Sequence, residues 1–322
     1  MHRLLKSHYD AIVIGSGHNG LVAAAYLAKA GRSVLLLEKN ETLGGATATT
    51  RVFPDYEALL SRYSYLVSLF PEKIIRDLDL GFQTRQRSTA SFTPWRDPGG
   101  EHRGLVLSNV DEARSRDSMF ELTGKHSSWD RYQEFLSLQS TIAKLIWPSM
   151  LQRLRSRISF ESLLQSERQK RAWRSFVERP LGEAIEEYAD HDALRGLLLT
   201  DGKIGVFTHA HDPSLLQNRC FLYHVIGNET GQWRVPVGGM KSLVDSLVKR
   251  CRSLGVQFLA NATALHVDRG ETTHEVTFAV EDGERSATAR DVLVNAGPRT
   301  FASLLQRPWK AKREDEGSVI KI

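Results

Sequence analysis

Apolar blocks broken by small residues set the pattern at the head of the chain. Residues 11–14 form an unbroken apolar run of strand length, and Gly15, Gly17 and Gly20 follow directly. A largely apolar stretch over about 20–30 comes next, with Gly31 placed to end it, and then a second apolar block at 33–37 that delivers Glu38. The two blocks have strand length and the segment between them has helix length, so the pattern predicts strand, glycine turn, helix, strand. Farther on, Pro71 fits the first turn of a helix running to about Leu80, with Gly81 as its stop. Residues 91–95 and 104–107 read as strands around the turn at 97–100. Polar helical segments follow from Asp111 to about Tyr188, interrupted at Pro148 and Pro180. Trp129, Tyr132, Phe135, Leu136 and Leu138 share one helix face, and core packing is the plainest account of it. Late in the chain, Leu243, Val244, Leu247 and Val248 mark a 3.6-period helix. Strands are predicted from about Gly255, over 264–268, over 274–280 before a turn at 281–284, and from Ala289 to the small-residue turn at Asn295, Ala296 and Gly297.

The glycines give the opening unit its chemistry. Gly15, Gly17 and Gly20 fit G-x-G-x-x-G, in which the first allows a tight turn, the second lets the backbone approach a pyrophosphate, and the third lets helix pack on strand. The helix would point its N-terminal amides at that pyrophosphate. Glu38 lies 18 residues past Gly20, which suits an acid that accepts hydrogen bonds from an adenosine ribose. A glycine-rich helix cap alone would need neither the flanking strands nor the acid, so dinucleotide binding is the reading adopted. The pair Gly44 and Gly45 is no part of that generic fingerprint. It resembles the second glycine motif of the glutathione-reductase-like flavoproteins, which in that superfamily lies near the FAD diphosphate. The cofactor expected is therefore FAD, with an NAD-dependent dehydrogenase as the alternative. The candidate binding residues at this end are Gly15, Ser16, Gly17, His18, Asn19, Gly20, Glu38, Lys39, Gly44, Gly45 and Ala46.

Composition narrows the classes. At 322 residues the chain exceeds one ordinary hydrophobic core, so two lobes are expected. The net charge of +5 is modest and its charges are interspersed, which argues against nucleic acid as a partner. Arg153, Arg155, Arg157, Arg168, Lys170, Arg171 and Arg174 could meet an anionic membrane surface peripherally, but Glu161 and Glu167 interrupt them and a solvated helix face is preferred. Cys220 and Cys251 form no C-x-x-C, so neither thiol–disulfide chemistry nor a structural zinc site is supported. On a strand His209 and His211 would face the same way, and with Asp212 they could suggest a metal site, but no third ligand arrives at convincing spacing, so no metal is expected. Asp201, His211 and His224 are candidates for a place near substrate, with ordinary polar packing in loops as the alternative. No apolar run approaches the 18 or so residues a membrane span needs, and the first nine residues are too polar for a signal peptide. The compartment expected is the cytoplasm, or the mitochondrial matrix in a eukaryote.

Gly17 to Gly20 read Gly-His-Asn-Gly, Gly44 to Thr47 read Gly-Gly-Ala-Thr, and residues 61–80 complete a block that resembles the phytoene-dehydrogenase-related FAD-dependent oxidoreductases. Within them it is similar to the branch named for a pyridine nucleotide-disulfide oxidoreductase domain. The resemblance implies an α/β fold: a Rossmann-like, glutathione-reductase-like FAD lobe, discontinuous in sequence, with an inserted α+β substrate lobe. The boundaries it implies are 1–80 for the first FAD segment, 81–230 for the substrate lobe, 231–300 for the second FAD segment and 301–322 for a return to the substrate lobe. It further implies that Ala264 faces the adenine, that Asn295, Ala296 and Gly297 end their strand beside the cofactor, and, as the alternative to core packing, that some aromatics of the 129–138 face line an apolar substrate channel. The implied activity is hydride transfer from an apolar or carbonyl-bearing small molecule to flavin, with no catalytic residue assignable. The family continues into a C-terminal glycine-rich segment that has no counterpart here, and residues 317–322 read as a strand cut off in mid-element. A truncated chain is expected, binding FAD weakly or not at all by itself, with a complementing chain or a second copy as partner. A non-catalytic flavoprotein-like module acting through a partner is the remaining alternative.

Overall fold

The computed structural model describes residues 6–61 and 63–310. In chain order the first elements are β1 (His8–Ile14), α1 (His18–Lys29), β2 (Val34–Leu37), β3 (Thr49–Arg51), β4 (Leu59–Ser61), α2 (Glu72–Leu78), β5 (Thr84–Gln86), β6 (Thr89–Arg96) and β7 (His102–Ser108). Helices follow: α3 (Glu112–Thr123), α4 (Ser127–Ile146), α5 (Arg157–Glu161), α6 (Glu167–Trp173), α7 (Leu181–Tyr188), α8 (Asp192–Lys203) and α9 (Leu216–Val225). The chain then runs through β8 (Arg234–Pro236), α10 (Lys241–Ser253), β9 (Gln257–Leu259), β10 (Thr263–Arg269), β11 (His274–Val280), β12 (Gly283–Val294) and α11 (Pro298–Leu304).

It divides into two compact units. The first takes in the described residues up to 66, then 72–85 and 235–310. Its sheet has the order β10-β11-β12-β1-β2-β9. Strands β12, β1, β2 and β9 run parallel, while β10 and β11 form an antiparallel meander that leads into β12. Ile14 stands opposite Leu37 on one side and Val294 on the other. Every residue from Val34 to Leu37 is buried, the near-continuous apolar run expected of a parallel strand covered on both faces. Leu21, Ala24 and Ala25 of α1 are buried, as are Leu243, Val244, Leu247 and Val248 of α10. The two helices meet where the Cys251 thiol donates to the Leu21 carbonyl at 3.3 Å, and burial pushes that thiol up to about 12. Helix α1 ends as its sequence requires: with Gly31 at φ +80°, the Gly31 N–H reaches Ala28 O and the Arg32 N–H reaches Leu27 O.

The second unit comprises residues 67–71 and 86–234. It packs helices α3 to α9 with the antiparallel pair β6 and β7. Its core is aromatic. Phe135 lies 5.4 Å from Phe176, 5.9 Å from Tyr188 and 6.0 Å from Phe221 by ring centroids. The α4 face read from the sequence is core, with Trp129, Phe135 and Leu138 buried and Tyr132 and Leu136 packed at its margin. The buried Asn218 side chain joins α9 to the α7 start, donating to Phe176 O and Arg179 O and accepting from Leu181 N.

Two boundaries differ from the sequence pattern. Helix α2 stops at Leu78 because Asp79, not Gly81, takes the left-handed conformation (φ +50°). Strand β12 begins at Gly283, well before the apolar residues that announced it, because 283–289 pair with β11 while polar side chains face outward. Residues 301–310 stay with the first unit, and the remainder of the segment expected to return to the other lobe lies outside the described residues. Replacing fully buried Leu35 by alanine is expected to cost about 2–5 kcal/mol in a denaturant titration, since a cavity would open in the apolar core packed on one face of the sheet.

Candidate functional site

The site is built where the parallel strands of the first unit end together. Gly15 N–H donates to Leu37 O, Glu38 N–H to Leu259 O, and Ala262 N–H to Glu38 O, so the ends of β1, β2 and β9 are tied into one rim. Glu38, only 5% exposed, stands at its centre. The Ser16 N–H (2.9 Å) and hydroxyl (2.6 Å) both donate to its Oε2. The Asn40 N–H (3.0 Å) and carboxamide (2.9 Å) both donate to its Oε1. Burial alone would push this carboxyl up; the four donors outweigh it and hold it below the usual carboxylate range. The Ser16 hydroxyl also accepts from the Gly44 N–H at 3.1 Å, so one buried side chain joins the first glycine turn, the acid and the glycine pair.

Close approach explains the glycines. Gly15 has φ +101°, and a Cβ there would lie 2.5 Å from the Asn295 carbonyl oxygen. Gly44 has φ +115°, and a Cβ would lie 2.8 Å from Val244 of α10. Asn295 braces the turn from β12: its N–H donates to Ile14 O at 2.8 Å, and its carboxamide donates to Gly15 O at 3.2 Å and Gly17 O at 3.4 Å. Gly17 caps α1 without any side-chain hydrogen bond, which leaves the first-turn amides aimed into the space beyond.

That space is a cavity of about 450 Å³. Gly15, Gly17, His18, Asn19, Glu38, Lys39, Gly45, Ala46, Ala264, Asn295, Ala296 and Gly297 all line it. Three other predicted residues stand behind its wall: Ser16 is buried beneath Glu38, Gly44 takes its amide to Ser16, and Gly20 packs against the Gly15 carbonyl. Their part is to shape the cradle. Burial lowers the pKa of His18, which favours the neutral imidazole. Lys39 is exposed and makes no ion pair among the described residues, which leaves a cation at the rim. Uncapped amides that donate, a carboxylate that accepts and glycine walls that allow close approach are what an adenosine diphosphate group needs, so these residues fit that half of FAD. The sequence reading missed Asn40, Thr263 and Thr300, which also line the cavity. Asn40 carried a usable signal: a short polar side chain two residues past an acid can reach back to it.

The candidates in the second unit are only partly brought together. Asp201 on α8 is half-buried; burial raises its pKa and nearby His224 partly offsets that. His224 is buried, its Nδ1 is 2.7 Å from Cys220 O, and its ring lies 5.7 Å from Trp233. His211 stands apart, its Nε2 3.0 Å from Glu186 at the surface. Residues 209–212 form a turn, so the two histidines do not share a strand face: Asp212 accepts from Ser214 N and Thr208 Oγ1 while its own N–H returns to His209 O. Among the described residues no group of three potential ligands could hold a metal ion, and no helix is long and apolar enough to cross a membrane.

A profile of the flavin containing amine oxidoreductase family matches residues 20–321. An uncharacterized protein of Mycobacterium tuberculosis is 36% identical over 317 residues, which are 98% of this chain and 58% of that protein. The pyridine nucleotide-disulfide oxidoreductase domain-containing protein 2 of Rattus norvegicus is 31% identical over 332 residues, 95% of this chain and 56% of its own. The chain thus spans a little over half the length of the curated relatives it matches. Among solved structures, a putrescine oxidase redesigned in its cofactor binding is similar over 92% of this chain and 60% of its own, with a TM-score of 0.58 at 18% identity, a likeness of fold.

Glu38→Gln is expected to lower stability by about 2–3 kcal/mol at pH 7, because an amide cannot accept at all four donors. The sign of the pH dependence follows from the depressed carboxyl. Its contribution is complete above the ordinary glutamate pKa, about 4.3, and fades as pH falls from there through the lower folded value. Urea titrations from pH 7 to pH 3 should show that acid limb reduced in Glu38→Gln.

Proposed function

The chain belongs to the flavin containing amine oxidoreductase family, whose cofactor is FAD, and from that premise we propose that it serves an FAD-dependent oxidoreductase of the phytoene-dehydrogenase-related kind. The substrate proposed is an apolar or carbonyl-bearing small molecule that gives up a hydride from a C–H bond. One observation carries the reading: both glycine motifs, the ribose acid and the strand end at Asn295 converge on one cavity within the first unit. Bound FAD would supply the hydride acceptor. The protein's part is positional. The α1 amides would hold the diphosphate, Glu38 the ribose, and Asn295 would keep the turn in place.

The segment after the glycine pair supports an apolar substrate. The chain leaving Ala46 passes through β3 and β4 and returns where Ser64 N–H donates to Ala46 O. Along it Phe53, Tyr56, Leu59, Tyr63 and Tyr65 are each more than half exposed. An exposed, mostly aromatic strip on a segment that leaves from and returns to Ala46 of the cavity suits an apolar partner molecule.

Saturating FAD is expected to raise the melting temperature, corresponding to about 2.7 kcal/mol at a hundred-fold excess over Kd, while FMN, which lacks adenosine, leaves it unchanged. Anaerobic titration of the FAD-loaded protein should then bleach the flavin absorbance with a cyclic ketone or polyene and not with a primary amine. Equal stabilisation by FMN contradicts the site, and bleaching by the amine alone contradicts the substrate class.

A further inference from the structure

A carboxylate offers about four acceptor positions, two on each oxygen. Glu38 already fills four, with Ser16 N and Oγ on Oε2 and Asn40 N and Nδ2 on Oε1. A ribose whose hydroxyls donate to this acid must therefore displace a donor that is present.

Three of the four cannot leave without undoing the fold. The Ser16 N–H belongs to the buried glycine turn. The Ser16 hydroxyl is buried as well and holds the Gly44 N–H, so moving it would orphan a buried amide. The Asn40 N–H is fixed by its main chain, whose carbonyl accepts from Asn261 N–H at 3.3 Å, next to the Ala262 N–H bond to Glu38 O. The Asn40 carboxamide is different: Asn40 is exposed, lines the cavity, and its side chain makes no other hydrogen bond among the described residues.

We propose that the Asn40 carboxamide is an exchangeable stand-in for the ribose diol, occupying Glu38 Oε1 until an adenosine ribose takes its place. It keeps the buried acid satisfied while no ribose is present, and it competes with that ribose for the same oxygen. Asn40 thereby sets how strongly the cavity favours a ribose diol over a nucleotide lacking one. The inference rests on the adenosine reading of the cavity. It adds that one side chain, not a rigid preformed acid, tunes the affinity.

The test is calorimetric titration of the wild-type chain and Asn40→Ala with ADP and with 2′,3′-dideoxy-ADP. Removing the competitor should tighten ADP about five-fold, as expected when the binding-competent state no longer has to be drawn from a minor population, and leave dideoxy-ADP unchanged. Unchanged or weakened ADP binding in Asn40→Ala, or equal tightening of both nucleotides, overturns the proposal while leaving the cavity's identity standing. Failure of the wild type to bind either nucleotide overturns the adenosine reading and this inference with it. Should Asn40→Ala not fold, the wild-type Asn40 side-chain amide resonance decides. It should move with ADP and stay still with dideoxy-ADP; a resonance indifferent to ADP overturns the proposal.

Discussion

A carboxylate this deeply buried persists only if its lone pairs are answered, and the site's architecture follows from how Glu38 is answered. Ser16 supplies two donors to one oxygen and accepts from Gly44, while Asn40 supplies two to the other. Through these bonds three sequence-distant pieces acquire one geometry: the turn after β1, the end of β2 and the glycine pair. The same bonds hold Glu38 ionised despite its burial, which is the state a ribose-binding acid requires. Charge and shape are thus set by one constraint.

The parallel sheet brings that constraint to a useful place. In a right-twisted parallel sheet the strand ends gather on one rim, and ligands bind where helices start beyond it. Here β1, β2 and β12 deliver Gly15, Glu38 and Asn295 to the same rim, and Asn295 returns two hydrogen bonds to the turn. A side chain on Gly15 would collide with Asn295, so the strand end and the glycine are two halves of one fit. The second unit has its own logic. Its aromatic core and the buried Asn218 hold its helices, and the α4 face that invited a substrate-channel reading is spent on packing.

The legible features were those with a local physical signature. Apolar blocks of strand length, a glycine turn and an acid at fixed spacing revealed β1, α1, β2 and Glu38 because each is specified within a few residues. Ala264 and Asn295 lie more than two hundred residues from the first glycine, and only a family resemblance could point to them. The early part of β12 was hidden because Glu284, Arg285 and Ser286 carry no apolar alternation; pairing with β11, a non-local fact, makes them a strand. The histidines at 209 and 211 show a related limit. Their alternation would align them only on a strand, but Asp212 caps a turn there, and a cap overrides a two-residue period. Asn40 is the most instructive omission, since its importance lies in filling the last acceptor position of a residue that was recognised.

The central claim is that the rim around Glu38 holds the adenosine diphosphate half of FAD. Backbone chemical-shift mapping during titration with ADP tests it most directly. The account predicts that the largest changes fall on His18, Asn19, Glu38, Asn40, Gly45, Ala46 and Asn295, with residues of the second unit unaffected. Saturable ADP binding that leaves those amides unmoved and shifts a different surface would contradict it.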